Sequence, residues 1–454
     1  MKRLAYNKLK EWKESYDRKP LIVNGARKVG KTWLLKEFGK NEYETVAYIS
    51  CDRTEGIQTI FENGFNTERI IRNLSALIGI DIKPKETLII LDEIQEVPLA
   101  ITSLKYFCEN APEYHIAVAG YVSGFLIHQR ISFPVGKVHF LHVYPMTFEE
   151  FLLARGKDLA AKVLNDCNYN ISNSLKSMFI EELRQYCFTG GMPACVKAYI
   201  EGAGPNEVRE IQKNILNTYA NDFSKYTNKL ESQRINMVWQ SIPVQLAKNN
   251  KRFIYGAIKK GTRAKDFDFA IEWLIDAGLI YKIHRVNKPN MPLKFNEDFN
   301  TFKLFMLDCG LLGAMTDTPA SKILIGDNAF KEYGGMFTKL FVLQQLKTAE
   351  VFPTFYHSVN DSSIEIDFLI QCQSHIYPIE VKAEPNLRSK SLRTYISKHP
   401  ELKGIRTSLS PYKDEGWMVN IPLYALIAEL KKQYKEGERK VQEYLQKLQE
   451  NRLN

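Results

Sequence analysis

The sequence predicts an α/β fold: a parallel sheet covered on both faces by helices, then a helical region, then a second and smaller α/β unit. Three observations carry this. Between Pro20 and Tyr144, short and wholly apolar runs alternate with amphipathic stretches, the pattern of strands buried on both faces of a parallel sheet. The first of those runs breaks into a glycine-containing loop that opens directly onto a helical stretch. After MTFEEFLLARGK the strand signals stop, and they resume with DAGLIYKIHRV.

The core is assigned to residues 1–150, with strands expected at LIVN (21–24), TVAYIS (45–50), TLIILD (87–92), HIAVAG (115–120) and VHFLHV (138–143). Residues 151–230 read as a helical lid, broken at FTGGMPAC (188–195). In 231–316, two or three short helices lead into DAGLIYKIHRV and FKLFMLDCG, a hairpin behind helices, which suggests a winged helix. Residues 317–430 offer the helix GGMFTKLFVLQQLK, the strands SIEIDFLIQC and IYPIEVKAE, a helix beginning near Ser389 and the strand WMVNIPL. Residues 431–454 space Leu, Ile and Tyr at helical intervals among charges, as an amphipathic terminal helix does.

At 454 residues the chain is too long for a single core, and an apolar share of 44% is enough to fill several. A net charge of +10 favours polyanionic partners, although solvated faces account for such an excess equally well. The seven cysteines are scattered without a CxxC pair, which argues against a zinc module or a disulfide scaffold and fits a reducing cytoplasm. No apolar run is long enough to span a bilayer, so no membrane partner is expected.

The loop Gly25-Ala26-Arg27-Lys28-Val29-Gly30-Lys31-Thr32 fits GxxxxGK[ST] in the strand–loop–helix setting that pattern requires. Glycine lets the backbone curl around phosphate, and amides at a helix start face the anion. Lys31 is expected to reach the β and γ phosphates of ATP and Thr32 to offer its hydroxyl to Mg²⁺. After one intervening strand, four apolar residues deliver Asp92 and Glu93. Asp92 is expected to hold the magnesium through its water shell, and Glu93 to act as general base toward the attacking water. The next strand should end in a γ-phosphate sensor, for which Tyr121 and Ser123 are both candidates.

With these motifs the chain resembles bacterial and archaeal ATPases that join an AAA-type domain to a C-terminal DUF4143-type domain. The resemblance rests on NGARKVGKTWLLKEF, LIILDEIQ, SFPVGKVHFLHVYPMTFEEFL, FTGGMP, GLIYKI, FVLQQL, EIDFLI, IEVKA, KSLRTY and RTSLSPYKDEGWMVNIPLYA. It implies an ATPase core, a lid, a winged-helix segment and a terminal domain like the PD-(D/E)xK nuclease fold. Gly191-Met192-Pro193 looks like a GxP element whose proline, Pro193, lies by the nucleotide; a plain helix breaker in the lid is the alternative. In the terminal domain, Asp367 and Glu380 would hold Mg²⁺ and Lys382 would steady the water or phosphate. Alternation along a strand puts Glu380 and Lys382 on one face, and likewise Glu365 and Asp367. Two departures stand out: Tyr121 where the family usually has Ser, and Lys339 where the preceding helix usually carries Glu.

The stretch from Lys248 to Lys265 gathers Lys251, Arg252, Lys259, Lys260 and Arg263, a patch suited to non-specific phosphate contact. Asp266, Asp268, Glu272 and Asp276 on the following helix would repel a phosphate backbone. The expected function is an ATP-hydrolysing molecular switch acting on C-terminal output domains, with nucleic acid or a protein as partner. An ATP-regulated nuclease and a nucleotide-binding interaction module with negligible turnover are the alternatives. An arginine from a neighbouring subunit would complete the site if the chain assembles; Arg130, Arg155 and Arg184 are equal candidates in the sequence.

Overall fold

All five N-terminal apolar runs form strands: β1 (Leu21–Asn24), β2 (Thr45–Ser50), β3 (Thr87–Asp92), β4 (His115–Ala119) and β5 (His139–His142). The computed structural model describes residues 1–120, 132–248, 251–325, 335–359, 364–383 and 388–453; Tyr121, Ser123 and Arg130 lie outside them. The strands pair in the order β2-β3-β4-β1-β5, every pair parallel. β1, β3 and β4 are buried at every position, which is why their sequences show no alternation of polar and apolar residues. Ala119 of β4 stands opposite Val23 on one side and Asp92 on the other. The loop after β1 and the acids at the end of β3 therefore leave the same sheet edge at the same level, flanking the strand between them.

The described chain forms two compact units. The first takes Met1–Met146, Thr218–Ile235 and Asp268–Leu279. Its core runs from Ile22, Ile89 and Val118 on the sheet to Ile70, Leu74, Ile101 and Leu104 on helices Thr67–Ile78 and Pro98–Asn110. Asn66 caps the former, accepting from the Arg69 amide, and Pro98 opens the latter, where its missing N–H costs nothing.

The second unit takes Thr147–Asn217, Asn236–Phe267 and Ile280–Asn454. It begins with a capping box, Thr147 and Glu150, on the helix Phe148–Ala154, and stays helical through Lys176–Thr189 and Pro193–Ile200. Its sheet contains β6 (Ile280–Val286), β7 (Glu297–Met306), β8 (Thr354–Ser358), β9 (Glu365–Cys372), β10 (His375–Val381), β11 (Gly404–Ser408), β12 (Lys413–Asp414) and β13 (Met418–Pro422). They run in the order β12-β13-β11-β10-β9-β8-β6-β7. The β6–β7 hairpin joins through Arg285 opposite Tyr356 of β8, so it continues this sheet at one edge. The helix Met336–Ala349 is buried on nearly all sides, with Phe337, Leu340, Phe341 and Leu343 alongside Gln344 and Gln345. The terminal helix runs Leu426–Leu453, five residues longer at its start than the segment expected from residue 431. No described helix is long and apolar enough to cross a membrane, and all seven cysteines are free thiols.

Candidate functional site

The loop from Gly25 to Thr32 is shaped by backbone angles that side chains resist. Gly25 has φ +145°, and a Cβ there would collide with the carbonyl oxygen of Val143. Lys28 and Gly30 sit at φ 68° and 95°, so the chain turns twice before the helix Lys31–Glu42. Gly30 is the N-cap of that helix and brings no side chain to its first amides, which leaves them available to an anion. Arg3 braces the loop from behind, donating to the carbonyls of Val29 at 2.8 Å and Tyr144 at 2.7 Å.

The Lys31 ammonium folds back onto its own loop, donating to the carbonyls of Gly25 at 2.7 Å and Ala26 at 3.0 Å. Burial lowers its pKa to about 8 against the pull of Glu93 and Asp92, and the Arg27 charge adds to the lowering. Thr32 donates its hydroxyl to Asp92 Oδ2 at 2.8 Å, and Tyr48 donates to the same oxygen at 3.0 Å. The Glu93 amide donates to Asp92 Oδ1 at 3.1 Å. Glu93 itself has φ 52°, a left-handed turn that costs a non-glycine residue about 1 kcal/mol or more. The turn swings its carboxylate toward Gln95, which donates to Glu93 Oε2 at 2.6 Å, and toward Arg27 at 3.7 Å.

The rest of the site comes from distant parts of the chain. Arg27 also bonds Asp222 at 2.5 Å, and Tyr219 donates to the Arg27 carbonyl at 2.8 Å. Burial would lower the Arg27 pKa, but Glu93 and Asp222 together raise it. Lys225 and Tyr226 both bond Glu96, at 2.6 and 2.9 Å. Gly278, at φ +68°, lies where a Cβ would be 3.1 Å from the Ala26 amide. Gly25, Arg27, Lys31, Glu93, Asp222 and Trp273 are among the residues lining the cavity these segments enclose. Sequence reasoning missed Tyr48, Asp222, Tyr219 and Gly278. Only Gln95 carried a local signal, two residues after Glu93 in LDEIQE.

Pro193 opens the helix Pro193–Ile200 in the second unit. The turn before it is anchored by buried Asp308, which accepts from the amides of Gly191 at 2.6 Å and Leu311 at 3.0 Å. Arg155, one of the three arginine candidates, pairs with buried Glu182 at 3.2 Å.

The second unit brings Asp367 and Glu380 onto adjacent strands, with Lys382 just past the end of β10. Asp367 Oδ2 accepts from the Val381 amide at 2.8 Å and its Oδ1 pairs with Lys339 at 2.8 Å. Lys382 pairs with Glu380 Oε1 at 2.8 Å, and Lys303 of β7 pairs with Glu365. Among the described residues, no group of three or more His, Cys, Asp or Glu side chains is placed to hold a metal ion. A divalent metal does not fit here, because each acid already faces an ammonium.

Three family models match the chain: an AAA domain over residues 17–152, a domain of unknown function (DUF8612) over 180–322, and a domain of unknown function (DUF4143) over 335–426. No curated protein matches it. Among solved structures it is similar to the ORC1 protein of Aeropyrum pernix in complex with DNA, at 14% identity and TM-score 0.26, over 71% of this chain and 93% of that one. Cdc6p from Pyrobaculum aerophilum gives 10% and 0.24, over 68% and 87%. Drosophila ORC bound to DNA gives 11% and 0.25, over 68% and 93%. At such scores these likenesses carry no argument about this chain.

Proposed function

From the premise that the chain belongs to the family joining an AAA domain to a DUF4143 domain, we propose that it binds MgATP at the Gly25–Thr32 loop and hydrolyses it as a molecular switch. The observation that carries this reading is the convergence of Lys31, the Thr32–Asp92 pair and Glu93 on one sheet edge, beside helix amides that no side chain caps. The phosphates would take the place of the Gly25 and Ala26 carbonyls as acceptors for Lys31. Thr32 and Asp92, whose oxygens lie 2.8 Å apart, are hard donors of the kind magnesium prefers. When bound, the ion would neutralise charge on the β and γ phosphate oxygens.

Glu93 is the proposed base for the attacking water. In this arrangement Arg27 and Gln95 hold its carboxylate, and Asp222 shares Arg27. A γ-phosphate entering the cavity would compete for the Arg27 guanidinium and loosen that hold, which couples substrate arrival to release of the base. Pro193, the helices of 151–230 and the winged-helix reading of 231–316 belong to the proposed lid and output. The basic stretch from Lys248 to Lys265 would make salt-sensitive contacts with nucleic acid or a protein surface.

ATP turnover tests the reading. Glu93→Gln should lower kcat by about 10²- to 10⁴-fold, the usual contribution of a positioned base, while leaving nucleotide binding in place. Equal rates in the parent and the variant would eliminate Glu93 as the base. The nuclease alternative has Asp367 and Glu380 on adjacent strands with Lys382 just past the end of β10, but a lysine pairs with each acid.

A further inference from the structure

Three carboxylates on β9 and β10 are compensated one for one. Glu365, Asp367 and Glu380 face Lys303, Lys339 and Lys382. Lys339 is the central member. It sits on the helix Met336–Ala349, pairs with Asp367 at 2.8 Å, and is also attracted by Glu365 and Glu380. One cation addressing three acids from two adjacent strands is the position a divalent ion would take between Asp367 and Glu380. Glu380 is 6% exposed, and its Oε2 has no hydrogen-bond partner among the described residues. Thr407 on the neighbouring strand is fully buried with its hydroxyl in the same condition. The cluster thus keeps an acceptor aimed inward, as a metal site does, while its charge is already balanced.

We propose that the Lys339 ammonium is the resident cation of this carboxylate site, so that the site is metal-independent in the native chain and becomes a divalent-cation site when Lys339 is replaced by an acid. An ammonium has donors but no lone pair, so it cannot join a metal's ligand shell. Its charge also opposes a second cation entering beside it. The direct pair with Asp367 at 2.8 Å holds the ammonium in that place.

The test is a Mn²⁺ titration of the nucleotide-free full chain, with free Mn²⁺ read by electron paramagnetic resonance. The parent and Asp367→Asn should bind the same number of equivalents, because any binding elsewhere is common to both. Lys339→Glu should gain one equivalent, and adding Asp367→Asn to it should remove that gain. A parent that loses an equivalent on Asp367→Asn would overturn the proposal, as would a Lys339→Glu chain with native circular dichroism and no gain. If Lys339→Glu does not fold, Lys339→Asp decides: Mn²⁺ should raise its melting temperature by more than it raises that of the parent. The absence of such a rise would also refute the proposal.

Discussion

Replacing Gly25 by alanine isolates the backbone geometry of the proposed nucleotide loop from its chemistry, because none of the polar side chains is touched. The added Cβ would fall on the Val143 carbonyl oxygen and 3.2 Å from its carbon. Neither atom can rotate away, since Val143 is fixed by the hydrogen bond its amide donates to the Asn24 carbonyl at 2.8 Å. The loop must therefore move by about 1 Å, and a misplacement of that size costs on the order of a hundredfold when it carries reacting groups with it. Overpacking should also cost roughly 1–3 kcal/mol of stability. Gly56→Ala is the control: φ there is +75° with nothing within 4 Å of the new Cβ, so it pays only for the left-handed backbone. Binding of a fluorescent ATP analogue and steady-state hydrolysis should both fall about a hundredfold in Gly25→Ala and stay near parental in Gly56→Ala. A folded Gly25→Ala with parental affinity would refute the claim that this loop's backbone holds the phosphates.

Burial lowers the Lys31 pKa to about 8, and bound phosphate should raise that value. ATP binding above pH 8 should then take up a proton, visible as a buffer-dependent calorimetric heat that vanishes near pH 6.5; a buffer-independent heat at pH 8.5 would contradict the assignment. Burial would raise Asp367, but Lys339 holds its carboxyl below the ordinary 3.8. The unfolded chain therefore protonates this acid first, so its contribution to stability is complete above pH 3.8 and is lost as pH falls through the lower folded value. Urea midpoints should drop less on acidification in Asp367→Asn than in the parent. Gly190→Ala should destabilise by roughly 2–4 kcal/mol in chemical denaturation, since φ is +74° and the new Cβ would meet the Asp308 carboxylate.

The parallel sheet was legible because its three central strands are apolar on both faces, and all five runs became strands within a residue of the expected limits. The second sheet was read only in part. Gly404–Ser408 was not expected as a strand because GIRTS looks polar. In the fold its polarity is turned inward: Arg406 and Ser408 both donate to Asn420 of β13, at 2.9 and 2.8 Å. A strand stabilised by a buried polar ladder carries no hydrophobic signal for periodicity to find. The same limit applies at the site. Lys31, Thr32, Asp92 and Glu93 announce themselves by spacing, whereas Asp222 is recruited to Arg27 across 195 positions of chain, a pairing that only tertiary structure can make.

The contact between Gly278 and the Ala26 amide bears on where this protein can be cut. A fragment ending at Met146 would retain all eight loop residues and both acids of the motif, and by sequence it would pass for a complete nucleotide module. It would lack Asp222, Tyr219, Trp273 and the tight turn at Gly278, which arrive from two later stretches of the same unit. Arg27 would then have Glu93 as its one acidic partner among those described here. The smallest piece that preserves the cavity wall extends to Leu279, well beyond residue 152 where the AAA match ends.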